Sequence, residues 1–274
     1  MQLEVHPNIS LEIIDLGAGG STPLLLVHGF GGAKEDFADH LQALGQTRRV
    51  VTLDLRGHGG SSKPDTPAAY SLDVLAADVV AAADALGLDR FDLLGHSMGG
   101  MLARRIVLQH GARVRGLVLM DTCPGPLPGI EIEIADAGAE LVRTHGMDEL
   151  KRVLDALAEA ASGPSQVLSE QRPGYREFND WKFAQLSPVM WATLLQEMVR
   201  EPDQLHLFPG IAVPTMVMVG AQDEAFVDSA HAMTAALPDV VLKIIPDAAH
   251  APQFEQPEAW LAALNAFLAE LDAR

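Results

Sequence analysis

Gly95-His96-Ser97-Met98-Gly99-Gly100 is the stretch whose reading decides the architecture of this chain. A short apolar run over 91–94 precedes it, and a helical pattern from Met101 to His110 follows it. Gly-x-Ser-x-Gly between a strand and a helix is a nucleophile elbow. The turn is so tight that the residues two before and two after the serine must be small. That geometry lifts the hydroxyl clear of the sheet and turns the next backbone N–H into the site. Five residues recur by chance, so the flanking strand and helix patterns carry the weight of the reading.

Outward from the elbow, residues 1–123 alternate strand-like and helix-like patterns. A strand is predicted over 11–16, with a glycine cluster after it as a turn. The cluster is no dinucleotide fingerprint, because a strand follows it rather than a helix. A helix is predicted from Ser71, a plausible N-cap, to a stop at Gly87, with Leu72, Leu75, Val79, Ala82 and Leu86 on one face. Another apolar run covers 114–120. Alternation of this kind implies a largely parallel sheet covered on both faces. The rhythm breaks at Pro124-Gly125-Pro126-Leu127-Pro128-Gly129. Helical patterns follow over 140–145, 148–161 and 188–200, without clear strands. Strand signals return over 214–219 and 240–245, and a last helix is predicted over 257–271.

With these elements in place, the chain resembles the α/β-hydrolase superfamily along most of its length. Leu24-Leu25-Leu26-Val27-His28-Gly29-Phe30-Gly31-Gly32 looks like that family's third strand and oxyanion loop. Val51-Thr52-Leu53-Asp54-Leu55-Arg56-Gly57-His58-Gly59 resembles the fourth strand and its Gly-rich loop. Val217-Met218-Val219-Gly220-Ala221-Gln222-Asp223 looks like the strand whose end carries the acid, and Ala248-Ala249-His250-Ala251-Pro252 resembles the histidine loop. The order Ser97, Asp223, His250 is the order the family uses. The resemblance implies an α/β fold with a mostly parallel central sheet flanked by helices. Residues 1–123 and 210–274 would form this core. Residues 124–209 would form a helical cap, inserted before the strand that carries the acid, that roofs the active site.

The chemistry follows from these residue types. A serine hydroxyl is a poor nucleophile at neutral pH and needs a neighbour to take its proton. His250 is the candidate base, since imidazole titrates near neutrality. Asp223 is the candidate acceptor on the other ring nitrogen, fixing the tautomer and stabilising the cation. Asp121, at the end of the preceding strand pattern, is a rival acid, and Asp223 could instead serve as an N-cap of the next helix. The resemblance assigns the oxyanion donors to the backbone N–H groups of Met98 and Phe30. Preorganised donors of this kind are worth roughly 2.7–4 kcal/mol each in the transition state. His28, Arg56 and His58 read as braces of their loops, and His96 as a residue that packs or hydrogen-bonds beneath the nucleophile.

Composition bounds the rest. The chain has 274 residues, a formal net charge of −18 and 48% hydrophobic residues, of which few are aromatic. A field of that sign repels nucleic acid and anionic membrane surfaces. No apolar run approaches the ~18 residues of a membrane span. The N-terminus lacks a basic start followed by an apolar stretch, so no signal peptide is visible and a cytoplasmic location is expected. The single cysteine, Cys123, excludes an intrachain disulfide and reads as a packed thiol. No metal-ligand spacing and no phosphate loop occurs, so neither a metal nor a cofactor is expected.

Serine at the elbow points to acyl transfer to water. The expected activity is cleavage of a small-molecule carboxylic ester or lactone through an acyl-enzyme on Ser97. Related enzymes that cleave carbon–carbon bonds of dienoic diketo acids commonly place asparagine before the serine and tryptophan after the histidine, where this chain has His96 and Ala251. Enol-lactone or carbon–carbon hydrolysis in aromatic degradation is one alternative. A ligand-binding receptor on a hydrolase scaffold is the other. Trp181, Trp191 and Met190 are candidate apolar substrate contacts from the cap. Arg143, Arg172, Arg176 and Lys182 are candidate anchors for a substrate carboxylate.

Overall fold

A computed structural model describes residues 1–17, 19–160 and 164–274. The strands are β1 (Gln2–His6), β2 (Ile9–Leu16), β3 (Ser21–Val27), β4 (Arg48–Leu53), β5 (Phe91–His96), β6 (Val114–Met120), β7 (Thr215–Gly220) and β8 (Val240–Ile245). The helices are α1 (Ala38–Leu44), α2 (Leu72–Ala85), α3 (Met98–His110), α4 (Ile132–Ala160), α5 (Pro164–Gln171), α6 (Tyr175–Ala184), α7 (Pro188–Met198), α8 (Glu224–Ala236), α9 (Pro252–Glu255) and α10 (Pro257–Ala273). The strands form one sheet in the order β1-β2-β4-β3-β5-β6-β7-β8. The β1–β2 and β2–β4 pairs are antiparallel, and every pair from β4 to β8 is parallel. This is the α/β fold the sequence implies. β1, which the pattern does not announce, extends the antiparallel edge.

The sheet is buried on both faces because its central strands are apolar at consecutive positions. Side chains alternate between two cores with a period of two. Leu25, Val27, Leu93, Leu117, Leu119, Val217 and Val219 point to the side packed by α2, α3 and α8. Leu24, Leu26, Leu94, Val118, Met120, Met216 and Met218 point to the side packed by α1 and α10. In α10, Trp260, Leu264, Phe267 and Leu271 are all buried, as their helical spacing requires.

Between β6 and β7 the described residues contain helices and no strand. The predicted pattern over 140–145 and the part of the 148–161 pattern up to Ala160 belong to α4, which breaks at Gly146 where φ is +82°; residue 161 lies outside the described residues. The pattern over 188–200 is α7, capped by the Ser187 hydroxyl, which accepts from the Met190 N–H at 3.2 Å. α5 and α6 have no counterpart among the elements expected over 124–209. No helix of the described residues is long and apolar enough to cross a membrane.

Candidate active site

Ser97 sits between β5 and α3 with φ +53° and ψ −119°, a conformation that few L-residues adopt. The neighbouring glycines make it attainable. A Cβ on Gly95 would lie 2.2 Å from the Gly99 carbonyl oxygen, and one on Gly99 would lie 2.4 Å from that of Val27. The strained residue is held from both sides: its N–H donates to the Met120 carbonyl at 2.8 Å, and its carbonyl accepts from the Thr122 hydroxyl at 2.7 Å.

The loops after β5, β7 and β8 bring three side chains together. The His250 Nδ1–H donates to Asp223 Oδ2 at 2.8 Å, and His250 Nε2 lies 3.1 Å from Ser97 Oγ, which donates to it. With Nδ1 committed as donor, Nε2 carries the lone pair facing the serine. Asp223 occupies the N-cap position of α8, yet its side chain makes no cap hydrogen bond. Its backbone starts the helix, while its carboxyl goes to His250. Asp121 is present at the same place but takes no hydrogen bond from His250; its Oδ1 accepts from the Gly220 N–H at 2.9 Å.

The histidine loop has two further supports. Glu255 Oε2 accepts from the N–H groups of Ala249 and Ala251 at 2.7 and 3.1 Å. His96 Nε2–H donates to the His250 carbonyl at 2.7 Å, and burial pushes its imidazole down to about 3, so the ring is neutral. Glu255 escaped the sequence reading. Its only trace is an acid four positions after Ala251, reaching back to the start of a short helix in the manner of a capping box.

Met98 opens α3, where the first N–H groups have no intrahelical acceptor. Phe30 follows β3 in a loop whose next two N–H groups are engaged: Gly31 donates to His58 Nε2 at 3.2 Å and Gly32 to the Gly29 carbonyl at 3.0 Å. The neighbouring histidines brace this loop. His28 Nε2 accepts from the Leu55 N–H at 3.0 Å, and burial lowers His58 to about 3. Arg56 makes a two-point pair with buried Asp78 at 2.6 and 2.8 Å and does not line the site.

Ser97 and His250 open on a cavity of about 970 Å³. Its floor includes Gly29, Phe30 and His96, and most of its wall comes from the 124–209 segment, with Leu141, Leu150, Val153, Leu154 and Leu195 prominent. Trp191 lines it and approaches the Phe30 ring at 5.9 Å between centroids. Trp181 and Met190 do not line it. Trp181 is on the outer side of α6, 41% exposed and stacked on Phe178, whereas Met190 is fully buried against the Gly57 backbone. Helical periodicity marked all three as apolar, but only the packing assigns each to a face.

The four candidate carboxylate anchors are placed apart. Arg143 bonds Gln196 at 2.6 Å, Arg172 pairs with Asp39, and Arg176 is exposed. Lys182 alone lines the cavity, and its ammonium is 2.8 Å from Asp36 Oδ1. Cys123 is buried, and burial pushes its thiol up to about 11, as for an inert packed thiol.

Sequence and structure comparisons agree with this fold. The family model described as alpha/beta hydrolase fold matches residues 22–257, and the chain belongs to that family. A 2-hydroxymuconate semialdehyde hydrolase of Pseudomonas putida is 28% identical over 285 residues, spanning 97% of this chain and 96% of that protein. Among solved structures, a thermophilic esterase from Thermogutta terrifontis is 27% identical with a TM-score of 0.78, covering 96% of this chain and 94% of that one. The enol-lactonase from Burkholderia xenovorans LB400 superimposes with a TM-score of 0.83 at 24% identity, over 95% of this chain and 97% of that one, a likeness of fold.

Proposed function

We propose that the protein is a cofactor-free serine hydrolase that cleaves carboxylic esters carrying an extended apolar acyl group. The observation that carries this reading is the unbroken chain Ser97 Oγ, His250 Nε2, His250 Nδ1, Asp223 Oδ2, at 3.1 and 2.8 Å, opening on a cavity walled mostly by aliphatic side chains. His250 takes the Ser97 proton as Oγ attacks the ester carbonyl. The imidazolium so formed is stabilised by the Asp223 carboxylate. The oxyanion is met by the N–H groups of Met98 and Phe30. His250 then returns the proton to the leaving alkoxide, and water repeats the sequence on the acyl-enzyme.

The 124–209 segment acts in this reading as the cap. It supplies the acyl pocket and keeps water from the intermediate, while every reacting group belongs to the core. A panel of activated esters of graded acyl length, with mass spectrometry of the acyl adduct on Ser97, tests the proposal. The expected profile rises from acetate to medium-length chains. A flat profile, or no Ser97 adduct with any ester or lactone, overturns it.

A second reading, hydrolysis of a dienoic semialdehyde or keto acid, is favoured by the relative named 2-hydroxymuconate semialdehyde hydrolase. Against it stands the pairing of Lys182 with Asp36, which leaves the anchor nearest the cavity already neutralised. The same panel, extended by a ring-fission product bearing a carboxylate, decides between them.

A further inference from the structure

Asp121 is the residue that the scheme above leaves unused. It follows β6 directly, with φ +44°, and is 1% exposed. The Gly220 peptide ties it to Asp223: the Gly220 N–H donates to Asp121 Oδ1 at 2.9 Å, and the Gly220 carbonyl accepts from the Asp223 N–H at 3.1 Å. Ligand-type atoms of Asp121, Asp223 and His250 all lie within 4.8 Å of one another. Asp121 Oδ2 receives no N–H or O–H from any described residue, although it is wholly enclosed. A buried carboxylate oxygen left in that state is costly.

A proton between the two acids removes the difficulty. Two enclosed carboxylates within 4.8 Å of each other disfavour each other's ionisation, and a hydrogen bond between them needs one O–H. Asp223 faces the His250 Nδ1–H, a bond that a charged acceptor strengthens. Asp121 faces the acidic groups Asp223 and Glu255, and among the described residues its sole N–H donor is the neutral Gly220 peptide. Burial, first, and the Asp223 charge push its carboxyl well above the usual carboxylate range.

We propose that Asp121 is a positioning residue whose carboxyl donates an O–H hydrogen bond to Asp223, fixing that carboxylate on His250 without adding a second negative charge. The proposal rests on the reading of Ser97, His250 and Asp223 as the catalytic groups. During attack the imidazolium then meets one negative charge, held by a donor that loses no proton in the cycle. Asp121 touches neither substrate nor reacting atoms.

The test compares Asp121→Asn, Asp121→Ala and Asp223→Asn. An amide also donates to Asp223. Asp121→Asn is therefore expected to lose less than about tenfold in kcat, and the acid limb of kcat/KM should stay within about 0.3 pH unit of the parent's. Asp121→Ala is expected to lose about 10²-fold in kcat with KM little changed. The infrared spectrum of the parent at pH 7 should contain a protonated carboxyl band absent from Asp121→Asn. If Asp121 were ionised, Asp121→Asn would remove a negative charge beside the imidazolium and lower the acid limb by about one unit or more. That shift, or the absence of the infrared band, or equal losses in the folded Asn and Ala variants, overturns the proposal. Should Asp121→Ala fail to fold, the Asn profile and the infrared band decide alone. Asp223→Asn separates the two readings. If it retains parental turnover, the catalytic assignment of Asp223 fails, whereas the infrared band still reports the proton on Asp121.

Discussion

The loops at the ends of β3, β5, β7 and β8 and the 124–209 segment face each other across one cavity and are built in opposite ways. On the loop side, polar side chains and backbone groups are tied down one by one. Ser97 is held at both its N–H and its carbonyl, His250 by Asp223, and its loop by Glu255 and His96. On the segment side the cavity wall is mostly aliphatic, and, apart from the Lys182–Asp36 pair, the polar ties named next lie away from it. Ser187 N–H donates to the Gly57 carbonyl at 2.8 Å, Glu197 accepts from the Leu72 N–H at 3.1 Å, and Glu201 pairs with Arg104 and Arg105 at 2.9 and 2.6 Å. Hydrogen bonds are directional and fix a reacting atom to a fraction of an ångström, whereas aliphatic contacts constrain volume more than position. One side is built to keep its geometry under substitution of the other.

That contrast breaks most visibly at the nucleophile. Ser97→Ala is expected to lower ester turnover about a millionfold, as when a triad acts as a unit, and to abolish labelling by a serine-directed phosphonate. Activity within tenfold of the parent would place the chemistry elsewhere. Asp223→Asn is expected to cost about 10⁴ in kcat through a misoriented imidazole, measured on the same activated ester.

The buried histidines of the loop side give a stability effect of known sign. His58 is lowered to about 3 by burial, against an ordinary value of 6.5. Its neutral form is the folded form, so its cost is absent above pH 6.5 and grows as pH falls toward its folded value. Between pH 7.5 and 5, the parent is expected to lose about 2 kcal/mol relative to His58→Gln, read as the change in the gap between their urea unfolding free energies. A gap that does not move with pH means that His58 binds its proton equally well in the folded and unfolded chains, so that burial does not disfavour its charged form.

Smaller effects belong to the segment side and sharpen the comparison. Trp191→Ala is expected to shift the ratio of kcat/KM for long against short acyl chains by about tenfold, with phosphonate labelling of Ser97 unchanged within about threefold. Trp181→Ala, outside the cavity, is expected to leave that ratio within about twofold. Equal shifts for the two tryptophans would mean that the 124–209 segment works as one rigid body rather than through the side chains that line the cavity.

Much of the loop side was legible in the sequence because its constraints are local. An elbow needs small residues at fixed offsets from the serine. A strand buried on both faces needs a continuous apolar run, so β3, β5, β6 and β7 declare themselves. The break between the helical patterns over 140–145 and 148–161 was also legible, because Gly146 takes a positive φ there. β1 was not, since an edge strand of alternating exposure in five residues has too little pattern to stand out.

By itself the sequence determined the fold class, the order Ser97, Asp223, His250, and the place where the strand rhythm breaks. All three depend on what the backbone allows within a few residues. Tertiary structure alone decided the rest. It gave Asp223 to His250 and left Asp121 beside it, placed Trp191 in the cavity and Trp181 and Met190 outside it, and neutralised Lys182 with an acid 146 positions away in the chain. These outcomes depend on which surfaces meet, and a helical or strand period records that a residue is apolar or charged without recording what lies opposite it.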